Sequence, residues 1–281
     1  MMKLAITDPL AEAMGLYVQE TAPEYLIVRT DNETAFYNAY GFAHGGFLYT
    51  IGHVAARNMG IMCLERHMQV VQSDCLYLSK VLVGPITARA EVLSDYGHSV
   101  VCLVEVADGH GEVCFRQTLT LQDTTPDHVM VAEPKQPDDE ARRWVKKASA
   151  LCLHHQDELY FDEICHVFPP EHFGKDITFK TDLYSDNCSD AGYVHQGAIY
   201  TCCDNCAAAC VASMQHKRPI TIASTVHYLA PAAIGPIVAQ GKLIREGHLM
   251  SFYQIDAFDG YGRPVATTQF VMRCQKVPQI S

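Results

Sequence analysis

Two stretches of this chain set a histidine and glycine directly before a long apolar run. The first is Asn38-Ala39-Tyr40-Gly41-Phe42-Ala43-His44-Gly45-Gly46, leading into Phe47-Leu48-Tyr49-Thr50. The second is Gly192-Tyr193-Val194-His195-Gln196-Gly197, leading into Ala198-Ile199-Tyr200-Thr201. If each run is a helix, each motif lies at a helix N-terminus, where backbone N–H groups lack partners and the dipole is positive. Glycine there lets a carbonyl oxygen approach the N–H with no Cβ in the way. An oxygen held in that place is stabilised as it gains negative charge, which is the chemistry of an oxyanion hole.

The two motifs belong to a longer internal repeat. His44 and His195 are 151 positions apart, and the same offset relates Gly41 to Gly192, Ser73 to Ser224, Tyr77-Leu78 to Tyr228-Leu229 and Gly84-Pro85-Ile86 to Gly235-Pro236-Ile237. Asp108-Gly109 and Gly111 likewise map to Asp259-Gly260 and Gly262, and only the Gly97-His98 hairpin slips by one residue against Gly247-His248. Within the first repeat the pattern predicts a strand at Tyr25–Arg29, a helix over Gly45–Met59 ended by Gly60, and strands near 68–78, 86–94, 100–106 and 113–121. The second predicts a strand near 177–183, a helix over 196–214, and strands near 220–229, 237–245, 251–257 and 264–273. A sheet that follows one long apolar helix buries it against a single face. Asp123–Gln136 reads as a linker, and Pro137-Asp138-Asp139-Glu140 as the start of a helix reaching about His155, with Arg142-Arg143 and Lys146-Lys147 on a solvated face. The organisation expected is a first domain over 1–122, a linker with a helix over 123–160, and a second domain over 161–281.

At 281 residues the chain has room for two cores. A formal net charge of −11 argues against non-specific binding to nucleic acid or an anionic membrane, though a few local cations suffice to hold an anionic ligand. Charged residues interrupt every candidate membrane span, and Asp8, Pro9 and Glu12 break the stretch a signal peptide would need, so a cytoplasmic protein is expected. Of the 12 cysteines, Cys202, Cys206 and Cys210 fall at helical spacing beside Cys203. That stripe reads as core packing, with no metal expected.

An Asn, a Gly and then His-Gly-Gly opening a long apolar helix wrapped by a sheet resembles the hotdog-fold thioesterases, most nearly the PaaI-like acyl-CoA thioesterase branch. The resemblance covers both repeats, roughly 14–122 and 165–274, and implies an α+β double hotdog: two repeats, each a long central helix wrapped by an antiparallel β-sheet. It also implies an acyl-CoA substrate whose coenzyme A moiety belongs to the substrate, with no separate cofactor. The sheet edges that one double hotdog leaves exposed lead to the expectation of a homo-oligomer of double hotdogs. In that family the acid lies nine residues after the motif histidine, which is His53 in the first repeat and Asp204 in the second. Gly45 and position 53 would be about 12 Å apart along one helix, so the acid at Gly45 must come from the facing helix. One composite site then joins Asn38, His44 and Gly45 to Asp204, with nothing missing. The other joins His195, Gln196 and Gly197 to His53, with Ser189 at the place of Asn38, and reads as decayed or repurposed.

In the intact site the resemblance gives Gly45 N–H the carbonyl, Asp204 the activation of water or direct attack, Asn38 the water, and His44 the orientation of loop or thioester. Thr221 aligns with a family hydroxyl that helps position the nucleophile. Structural alternatives stand beside these roles: Asp204 as a hydrogen-bonded polar residue between helices, His44 as a histidine satisfying loop carbonyls, Asn38 as a turn former, His53 as a core histidine. Two other functions share the fold. Hotdog enoyl-thioester hydratases and dehydratases carry Asp and His five positions apart, as Asp190 and His195 are, but with Asn-Pro where this chain has Gly192-Tyr193. A non-catalytic acyl-CoA-binding protein is the third reading.

Overall fold

A computed structural model describes residues 6–31, 36–38, 41–124, 131–136, 161–168 and 177–276. The expected helix over 137–155 and its basic cluster lie outside the described residues. The first repeat runs α1 (Pro9–Ala13), β1 (Tyr17–Ala22), β2 (Tyr25–Thr30), α2 (Gly45–Leu64), β3 (Met68–Tyr77), β4 (Ile86–Asp95), β5 (Ser99–Ala107) and β6 (Val113–Asp123). The second runs α3 (Phe161–Ile164), β7 (Thr178–Thr181), α4 (Gln196–Gln215), β8 (Lys217–Tyr228), β9 (Ile237–Glu246), β10 (Met250–Phe258) and β11 (Pro264–Lys276). Neither α1 nor β1 was evident from sequence periodicity. The expected end of α2 at Gly60 is corrected. The helix runs on to Leu64 and stops at Glu65, which takes a left-handed conformation at φ 52°. Gly60 serves packing instead, since a Cβ there would stand 3.2 Å from Val100 Cγ2 on β5.

The strands of the described residues form one antiparallel sheet in the order β1-β2-β4-β5-β6-β3-β8-β11-β10-β9-β7. The repeats meet at β3 and β8, where Gln72 pairs with His227 and Leu76 with Ala223. Because 72 corresponds to 223 and 76 to 227 under the 151-residue offset, this register is that of a two-fold axis relating the repeats.

The axis passes between α2 and α4, which cross on the inner face of the sheet. Tyr49 and Tyr200 stack there with ring centroids 3.8 Å apart and planes 6° from parallel. Glycines allow the approach: a Cβ on Gly46 would stand 2.1 Å from Thr201 Oγ1, and one on Gly197 2.2 Å from Thr50 Oγ1. The second glycine of each motif is therefore required by helix–helix contact. Both helices are buried on most sides, which explains their apolar sequences; Cys202, Cys203, Cys206 and Cys210 all lie in that core. Gly241 on β9 leaves room for the sulfurs, since a Cβ there would meet Cys210 Sγ at 2.5 Å.

Candidate active site

The crossing brings the N-terminus of α2 against the middle of α4. A Cβ built on Gly45 would lie 2.9 Å from Asp204 Oδ2 and 3.3 Å from the Tyr77 hydroxyl, so the facing carboxylate occupies the space that glycine leaves open. Gly45 N–H has no acceptor among the described residues. Thr221, on β8, donates to Asp204 Oδ1 at 2.8 Å and so directs Oδ2 towards Gly45. Asp204 is buried, and burial pushes its carboxyl above the ordinary value, while His44 and Thr221 pull the other way and Asp162 adds to the rise. A raised carboxyl is suited to accepting a proton from water near neutral pH.

His44 caps α2: its Nδ1 accepts from Gly46 N–H at 2.9 Å. Its Nε2 faces Asn205 Oδ1 at 3.1 Å and Asp162 Oδ1 at 3.3 Å, and Asn205 Nδ2 donates to Asp162 at 2.6 Å. Burial opposes a charge on His44, yet the Asp162 and Asp204 carboxylates outweigh it and bring its pKa to about 9. The second proton would have to enter at Nδ1, where the cap already donates. In the neutral ring the cap therefore puts the proton on Nε2, and the protonation that the carboxylates favour is gained at the expense of the cap bond. Tyr77 completes the wall, donating to Gly45 O at 3.1 Å and meeting the Tyr200 hydroxyl at 2.9 Å. Asn38 lines the same cavity of about 390 Å³ and also holds a turn, its carbonyl accepting from Gly41 N–H at 3.0 Å.

The structure thus gathers Asn38, His44, Gly45, Asp204 and Thr221 around one cavity. Three neighbours were not singled out from the sequence. Tyr77 was visible only as half of a repeated pair, and Asn205 only as the residue after Asp204. Asp162 had no local signal, because it arrives on α3, which opens the second repeat but docks on the first. Phe161 N–H donates to Tyr37 O, just as Leu10 N–H of α1 donates to Cys188 O, and Tyr37 and Cys188 are again 151 apart. Each repeat sends its leading helix across the axis to cover the other's motif loop.

The two-fold-related cavity, about 430 Å³, holds His53, His195 and Gln196. There the Gln196 side chain crosses the place left open at Gly45, with Oε1 2.7 Å from His53 Nε2 and Nε2 donating to Val70 O at 2.8 Å. His195 keeps the cap, accepting from Gly197 N–H at 2.9 Å, but its buried Nε2 has no partner among the described residues. The reason is that the counterparts of Asn205 and Asp162 are Val54 and Ala11. Burial pushes His53 down to about 3, with His195 next to it adding to the effect; burial and Arg57 do the same to His195. Ser189 forms the loop turn, with its N–H donating to Tyr193 O. Asp190, the acid a hydratase would need, is tied to Arg57 by two bonds of 2.8 and 2.9 Å.

Residues 191–266, within the second repeat, match the family model of the Thioesterase superfamily. No curated protein matches the chain. Solved structures match over nearly its whole length. Acyl-CoA thioesterase II TesB2 from Mycobacterium marinum is 15% identical, with 97% of this chain and 99% of that one covered at a TM-score of 0.60. A conserved protein of unknown function with a hot dog fold from Alicyclobacillus acidocaldarius is also 15% identical, covered at 97% and 100% with a TM-score of 0.63. The tesB protein of Mycobacterium avium subs paratuberculosis is 8% identical, covered at 94% and 98% with a TM-score of 0.62. The fold is that of the hotdog proteins, with two repeats in one chain.

Proposed function

We propose that this chain is an acyl-CoA thioesterase with one working site, built from the N-terminus of α2 and the facing Asp204 of α4. The observation that carries the reading is the approach of Asp204 Oδ2 to within 2.9 Å of a Cβ position on Gly45, beside an N–H with no acceptor among the described residues. A thioester carbonyl oxygen placed on Gly45 N–H puts its carbon next to that carboxylate. Asp204 takes a proton from water as the water oxygen adds to the carbonyl carbon, and the resulting oxyanion is held by Gly45 N–H and the α2 dipole. Collapse breaks the C–S bond, and the proton on Asp204 passes to the departing sulfur. Thr221 holds the base, Asn38 flanks the water, and His44 keeps the helix end in place.

The match to the thioesterase model and the whole-chain likeness to tesB proteins support the reaction class, and the motif supports the PaaI-like variant of the site. On the same reading the enzyme needs no cofactor beyond its substrate and works in the cytoplasm. Leu78 and Leu229, related by the repeat and each about half exposed, favour association of double hotdogs into a homo-oligomer. The test is mass-spectrometric monitoring of short, long and aromatic acyl-CoAs with wild type, Asp204→Asn and His53→Ala. Hydrolysis lost in the first variant and kept in the second supports one composite site. Binding without turnover in every sample leaves a non-catalytic acyl-CoA-binding protein.

A further inference from the structure

The cavity at Gly45 and Asp204 continues outward past the end of β3 to a mouth bordered by Ser79, Lys80, Arg273 and Gln275. Along β11, Met272 and Cys274 are buried, so Arg273 and Gln275 stand on the opposite, outer face of the sheet. Arg273 pairs in register with Ile220, the neighbour of the Thr221 that holds Asp204. Lys80 lies on the segment leaving β3, its ammonium 5.0 Å from the centre of the Phe42 ring. Both side chains are exposed, and neither has a carboxylate partner among the described residues. For a chain of net charge −11, two uncompensated cations at one opening are a local reversal of sign.

The internal repeat supplies a control within the same molecule. At the related mouth, the counterparts of Lys80 and Arg273 are Pro231 and Gln122, which line a neighbouring cavity together with Asp123. The arginine near that second site, Arg57, is neutralised by Asp8 and Asp190. The cations therefore accompany the carboxylate: Asp204 with Lys80 and Arg273 on one side, His53 with Pro231 and Gln122 on the other. A structural need of the fold would act on both sides alike.

We infer that Lys80 and Arg273 are specificity-determining contacts for the phosphates of a coenzyme A thioester, and that they make the working site prefer it over an uncharged thioester. The inference rests on the proposed hydrolysis at Asp204. Exposed cations contribute to phosphate binding through charge-assisted contacts that salt screens.

The experiment compares the acyl-CoA hydrolysed fastest in the panel with the N-acetylcysteamine thioester of the same acid. It uses wild type, Lys80→Met, Arg273→Gln and the double variant, with Lys242→Met/Arg245→Gln as a control of equal charge change on β9. Each single variant is expected to raise KM for the acyl-CoA about tenfold and the double about a hundredfold, with kcat little changed. The preference for the acyl-CoA over the N-acetylcysteamine thioester then collapses towards one, and the salt dependence of kcat/KM flattens. Equal preference in wild type and double variant, or an equal loss in the β9 control, overturns the inference while leaving the hydrolysis intact. If no thioester is hydrolysed, the reading of the reaction fails by itself. Calorimetric titration with coenzyme A still decides the contacts: weaker binding to the double variant supports them, and unchanged or undetectable binding to every form overturns them.

Discussion

Replacing Gly45 with alanine separates chemistry from folding at one atom. The backbone tolerates the change, because Gly45 opens α2 without a positive φ, and alanine is the better helix former by about 0.5–1 kcal/mol. The added methyl, however, would stand 2.9 Å from Asp204 Oδ2 and 3.3 Å from two atoms of Tyr77. An ordinary carbon–oxygen contact is longer by roughly 0.5 Å, so the carboxylate must turn away, straining its 2.8 Å bond from Thr221. The same methyl covers the N–H that would receive the carbonyl. Removing an oxyanion contact costs about 10²–10³ in kcat, and a misplacement of about 1 Å costs a further factor of up to about 10². A loss of at least about a hundredfold in kcat/KM is expected, with Tm within a few degrees of wild type, measured by acyl-CoA turnover and calorimetry on one preparation. Retention of more than a tenth of the activity would refute the placement of the carbonyl on Gly45. A collapse of Tm would refute the claim that this glycine is kept for chemistry.

Asp204→Asn should abolish hydrolysis and raise Tm. The folded carboxyl is raised by burial, so the stability gained by its neutral form is present at low pH and lost as pH rises through the folded pKa; an amide keeps it at neutral pH, and a lower Tm would contradict this. For the same reason kcat/KM should fall on acidification with an apparent pKa above the ordinary carboxylate range, and Asp162→Asn, by removing a like charge, should move that limb to lower pH. A limb unmoved by Asp162→Asn in a pH–rate profile counts against Asp204 as the base. Gly46→Ala should lower stability by about 1–3 kcal/mol, since its methyl would overlap Thr201 Oγ1 at 2.1 Å. Denaturant melts should show Thr201→Ala restoring part of that loss.

The repeat, the two central helices and most strand boundaries were legible in the sequence because periodicity and a fixed offset are both written in one dimension. Apolar periodicity marks helix and strand, and an offset of 151 residues survives any amount of folding. The asymmetry of the two motifs was legible for the same reason, down to the contrast of Asp204 with His53. The end of α2 was misplaced because Gly60 looks like a stop signal in one dimension, whereas in three it is the clearance that Val100 needs. Asp162 and Asn205 were hidden because their meeting with His44 joins residues more than a hundred positions apart. Helix spacing already required the acid at Gly45 to come from the facing helix, and the two-fold crossing of α2 and α4 supplies the contact itself. Only the exchange of α1 and α3 across that axis decides that an acid from the head of the second repeat stands over the histidine of the first. Residue types name the chemistry available to a chain, and the packing of its helices selects which of them share a cavity.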